Sequence, residues 1–138
     1  MNCVIMGWRM KCWWFVTAAV LACVSAPAWA ASKLSAEGAW IKGAAELVAM
    51  AKSHSSEAGF QWEVEESRQR LRQIVLQAGP HPAPKREQLF VSMIMLNALL
   101  ESATKCHQGG LVVCSANLIW QLDAQVKAAS AQLKALES

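Results

Sequence analysis

No cluster of lysines and arginines interleaved with aromatics occurs after residue 30 of this sequence, so the electrostatic footprint of a nucleic-acid-binding protein is missing there. There is no phosphate-cradling glycine loop and no dinucleotide fingerprint, which leaves nucleotide chemistry without a seat. No Gly-x-Ser-x-Gly elbow presents a serine nucleophile. Neither Cys-x-x-Cys nor Cys-x-x-Cys-His occurs, which removes the usual redox motif and c-type haem attachment. Repeats and low-complexity tracts are absent too. No run alternates apolar and polar residues over the length of a strand. Leu111-Val112-Val113 is the one β-flavoured stretch, and three residues are too few to set a sheet.

What is present begins with an address. Arg9 and Lys11 precede the uncharged run from Cys12 to Val24, and Pro27-Ala28-Trp29-Ala30 follows. Small residues at −3 and −1 fit the narrow pockets of signal peptidase, and Pro27 ends the apolar helix just before the cut. The sequence therefore predicts a bacterial secretory signal peptide over residues 1–30, cleaved after Ala30, and a periplasmic or secreted single domain over residues 31–138. Two alternatives share these residues. Val20-Leu21-Ala22-Cys23 fits a lipobox, which would leave the protein lipid-anchored through Cys23. The stretch between Lys11 and Lys33 holds no charge and is long enough to span a bilayer uncut. Cleavage would remove Cys3, Cys12 and Cys23 of the five cysteines. Arg9 and Lys11 would leave with them, taking the net charge from +3 to +1, so the basic balance of the whole chain says nothing about an acidic partner.

Beyond Ala30 the apolar spacing is helical. About residues 36–53, the stripe Trp40, Ile41, Ala44, Leu47, Val48, Ala51 advances by threes and fours, with Ser35 as a possible cap. About residues 57–78, Phe60, Val64, Leu71, Ile74, Val75 and Ala78 form one face, and Gly79-Pro80 stops the helix. About residues 84–106, Pro84 suits a first turn, and the centre LFVSMIMLNALL is apolar almost all round. That run is too short to cross a membrane, so the mature chain is expected to have no span. About residues 116–136, Leu118, Leu122, Val126, Ala129, Leu133 and Leu136 make a regular seam. These features predict an all-α fold, a small antiparallel bundle of about four helices.

The stretch KCHQGGLVVC, residues 105–114, lies between the last two helices. In an oxidising compartment Cys106 and Cys114 would be the only cysteines left, and such a pair is expected to form a disulfide staple across the Gly109-Gly110 turn. Closing so short a loop contributes about 2.5 kcal/mol by the chain-entropy argument. A zinc or copper site using Cys106, His107 and Cys114 with His81 or His54 is the rival reading, but the spacing fits no common pattern. Met50, Met93 and Met95 lie at apolar helical spacing and read as packing, not copper ligands. Glu63, Glu65 and Glu66, followed by Arg68, Arg70 and Arg72, read as a solvated helix face, not as catalytic acids. No catalytic residue, cofactor or metal site is expected.

What remains is binding. Phe90, Met93, Met95 and Leu99 cannot all face one core, and Trp62 and Trp120 lie beside the stripes. Unclaimed large apolar residues point to an interface. The sequence thus favours a non-enzymatic exported protein that binds an unidentified protein partner or forms a homodimer, with Phe90, Met93, Met95 and Leu99 as the candidate patch. An immunity or inhibitor protein is one version of that class. The alternative is a bundle carrying a small ligand or metal ion in the cell envelope, using inward polar residues such as Ser67, Asn97 and Ser130.

Overall fold

A computed structural model describes residues 34–138. The expected signal peptide, the Ala30 cleavage site and Cys23 lie outside the described residues. Four helices follow in order: α1 Ser35–Lys52, α2 Glu57–Ala78, α3 Pro84–Ala103 and α4 Ala116–Glu137. A two-residue hairpin, β1 His107–Gln108 and β2 Leu111–Val112, separates α3 from α4. The fold is all-α, and no described helix is long and apolar enough to cross a membrane.

Local chemistry sets the helix boundaries. Ser56 and Ser115 cap α2 and α4, their hydroxyls accepting from the amides of Gly59 at 3.3 Å and Leu118 at 3.2 Å. Pro84 occupies the first turn of α3, where its missing N–H costs nothing. Gly79 ends α2 at φ 83°, a conformation that a side chain would strain. Ser35 is not the cap expected of it: it is already helical, and Leu34 stands in the capping position. Helix α3 also ends at Ala103, short of the expected end near residue 106. Its last amides turn back through Thr104 and Lys105, and the chain enters the hairpin by Cys106.

The helices run alternately up and down. Gly38, early in α1, lies against Leu133, late in α4, while Lys52 at the other end of α1 bonds Asp123 at 2.7 Å. The amide of Gln125 in α4 donates to the carbonyl of Ser92 in α3 at 3.1 Å. Every residue of the α1 stripe is buried, and Phe60, Leu89, Met93, Leu96, Leu100, Val112 and Leu122 are enclosed completely. The seam of α4 is less deep: Leu122 and Ala129 are buried, while Leu118, Val126, Leu133 and Leu136 pack partly covered against the core. Two polar groups are held inside by specific partners. Trp40 Nε1 donates to the carbonyl of Ser67 at 2.8 Å. Glu37, 1% exposed, accepts from Arg86 at 2.6 Å, and that guanidinium also lies over the Phe90 ring, 5.4 Å from its centre.

The hairpin turns through Gly109 and Gly110, both at positive φ (58° and 78°), the geometry that a tight two-residue turn demands. Its second strand, β2, also pairs with the turn between α1 and α2. Glu57 N–H donates to Gly110 at 2.8 Å, and Val112 N–H donates to Ser55 at 2.9 Å.

Candidate functional site

The four residues expected to form one patch are divided by the fold. Phe90 and Met93 are core residues, 5% and 0% exposed, and neither is available to a partner. Their side chains fall on the inward turns of α3, with Leu89, Leu96 and Leu100. Met95 is 53% exposed, and Leu99 is half-buried beside it. The outward positions are Val91, Ile94 and Met95, with Ala98 one turn on.

Met95, Ala98 and Leu99 form one wall of a groove whose other wall is Trp120, Ala124 and Gln125 of α4. The groove has a volume of about 470 Å³, and every side chain lining it is uncharged. Two causes produce it. Ala98 and Ala124 are too small to fill the space between the helices. Trp120 lies just off the buried seam of α4, so its ring, 68% exposed, stands at the rim. Trp62, the other tryptophan outside the stripes, is exposed on α2. Gln125 fixes the floor through its bond to Ser92.

The exposed face of α2 has the opposite character. Glu65 pairs with Arg68 at 2.6 Å and Glu66 with Arg70 at 2.6 Å. The hydrogen bonds from Arg68 and then Gln69 hold the Glu65 carboxyl below the usual carboxylate range. This is a solvated, mutually paired helix face.

The cysteines correct a second expectation. Cys106 and Cys114 approach to 2.6 Å but are free thiols, not the disulfide staple predicted. Each has an acceptor at the end of α3: the Cys106 thiol donates to Ser102 O at 3.8 Å and the Cys114 thiol to Ala103 O at 3.6 Å. Burial, then the hydrogen bond and charge of Cys106, push the Cys114 thiol from its ordinary 9.0 up to about 12. The folded protein therefore keeps a proton that the unfolded chain gives up above pH 9, and stability of the reduced form falls as pH rises from there through about 12. His107 Nε2 lies 3.7 Å from Glu57, and His54 and His81 are exposed. Among the described residues no three His, Cys, Asp or Glu side chains converge on one point. Asn97 and Ser67 are buried as expected, and Ser130 is half-buried. Asn97 donates to Glu101 at 3.0 Å, while its side-chain carbonyl is buried without a partner.

Comparison of the chain with protein-family models, with curated proteins and with solved structures finds no match.

Proposed function

We propose that this chain is an exported helical protein that acts without catalysis of its own, by binding another protein along the groove between α3 and α4. The observation that carries the proposal is an uncharged groove lined by exposed Trp120 and Met95, with exposed Ile94 on the adjoining face of α3. Large aromatic and sulfur-bearing side chains that water can reach, next to a cleft, are what interface centres are made of. An inhibitor that blocks a toxin or hydrolase in the periplasm is one form of such a protein. A photo-crosslinking residue at Met95 is expected to give a discrete protein adduct in the cell, and the same probe at exposed Arg72 of α2 none. Equal labelling at both positions, or none at either, would sink the proposal.

The groove volume also falls in the range of small-molecule pockets, which supports the carrier reading. Native mass spectrometry separates the two: a bound ligand mass favours the carrier, and a bare chain or protein complex favours the binder.

Export is part of the proposal. The exported protein is expected to begin Ala31-Ser32-Lys33, as read by N-terminal sequencing; Met1, or a lipid-modified Cys23, would contradict it. In an oxidising compartment the neighbouring thiols of Cys106 and Cys114 are expected to join. Thiol titration of the unreduced, unfolded protein should then find no free sulfhydryl. Cys114→Ser should lower the melting temperature without loss of helix, because the closed loop contributes about 2.5 kcal/mol. Two free thiols per chain would show that oxidation does not occur.

A further inference from the structure

The outer face of α3 carries a second pattern, distinct from the one that builds the core. Glu87, Val91, Ile94, Ala98, Glu101 and Lys105 are all exposed and follow one another at steps of four, three, four, three and four. That is the spacing of a helix–helix seam, in which alternate three- and four-residue steps keep one line facing a partner helix. Lys105 lies just past α3, but the chain is still turning there, since its N–H donates to Ser102 O at 3.1 Å. The centre of the seam is apolar: Val91 and Ile94 are 52% and 51% exposed, with Met95 and Trp120 alongside. Its outermost positions, Glu87 and Lys105, carry opposite charge.

We infer that this outer face of α3, which meets the groove at Ala98, docks on the same face of a second copy of this chain, the two α3 helices running antiparallel. The inference rests on the protein-binding reading above and names the partner. Charge decides the partner and the direction. A parallel pairing would set Glu87 against Glu87 and Lys105 against Lys105. The antiparallel pairing sets Glu87 of each chain against Lys105 of the other, so one seam is complementary to itself at both ends. A partner of uniform charge would be repelled at one end. The same register places Ile94 opposite Ala98, a large side chain against a small one, which is the requirement for close helix packing. Val91 then faces Glu101, whose carboxylate is already bonded to Asn97 at 3.0 Å and lies 3.9 Å from Arg68. The two-fold arrangement is closed, so the contact makes dimers, not fibres.

Sedimentation equilibrium of the protein purified after expression of the full chain tests this. The wild type is expected to dimerise in a concentration-dependent way. Glu87→Lys or Lys105→Glu alone turns both end pairs repulsive and should weaken the dimer at least about tenfold at low salt. Mixing the two single variants makes both ends attractive again and should restore association, as should both substitutions in one chain. Ile94→Asp should abolish the dimer while leaving helix content unchanged. A dimer indifferent to the single reversals, or single variants that do not complement on mixing, would overturn the antiparallel α3 arrangement. A wild type that stays monomeric at every attainable concentration would overturn the second copy as partner. If that monomer still yields the Met95 adduct with another protein, the binding reading survives the loss of this one; without the adduct both fall.

Discussion

Met93→Asp is expected to leave the protein unfolded at room temperature, while the same change at Ile94, one residue on, leaves the single chain folded. Met93 is completely enclosed, and Ile94 is 51% exposed. Even Met93→Ala, which only leaves a cavity, should cost about 2–5 kcal/mol out of a total stability of roughly 5–15 kcal/mol. An aspartate there adds a buried charge with no partner, which takes the loss beyond what a domain of this size can absorb. At Ile94 the new carboxylate stays in water, and changes at such positions usually fall within about 0.5 kcal/mol. Circular dichroism of the two variants checks this. A folded Met93→Asp, or an unfolded Ile94→Asp, would mean that α3 is rotated from the orientation described.

Breaking the Glu37–Arg86 pair has the next largest effect. The Glu37 carboxylate is 1% exposed, and Arg86 supplies two hydrogen bonds to Oε1, at 2.6 and 3.2 Å. Arg86→Met leaves that carboxylate inside the protein without its cation, a change that costs about 3–5 kcal/mol when both partners are buried. Arg86 itself is 34% exposed, so water would partly replace it, and about 3 kcal/mol is the expected loss. For a domain of this length that lowers the melting temperature by roughly 10–20 °C. Glu37→Leu together with Arg86→Met should recover most of the loss, because the pair gains little over an apolar contact of similar volume. A double-mutant cycle by thermal unfolding measures it. A loss below about 1 kcal/mol for Arg86→Met would show that the carboxylate finds water or another donor.

Much of the bundle was legible because amphipathic spacing is a local signal. All six residues of the α1 stripe are buried, and α2 stops at the Gly79-Pro80 break that its sequence announces. The failures fall where that signal is uninformative. In LFVSMIMLNALL nearly every position is apolar, so periodicity cannot say which turn faces inward. Periodicity therefore does not reveal that Phe90 and Met93 belong to the core while Val91 and Ile94 face outward. Trp120 was different: it lies in a helix with a well-defined stripe, so its place outside that stripe already marked it as exposed. Glu37 was invisible for another reason. A carboxylate in a first helical turn ordinarily faces water, and nothing local reveals an arginine 49 residues away that draws it inside. The hairpin depends likewise on pairing with the distant α1–α2 turn, which no single short stretch encodes.

The hairpin's bonds to that turn give the bundle two unlike poles. At one pole the connections α1–α2 and α3–α4 are stitched to each other through Ser55, Glu57, Gly110 and Val112. At the other pole lie the start of α1, the end of α4 and the proline-rich link between α2 and α3, with the Glu37–Arg86 pair as the clasp between α1 and α3. Opening of the molecule is thus directional. With the start of α1 and the end of α4 at the clasped pole, fraying is expected to begin there and to reach the stitched pole last, an order that amide hydrogen exchange reads. The groove wall at Trp120 stands near the stitched pole, so the proposed partner would keep its footing there while the far end of the bundle opens.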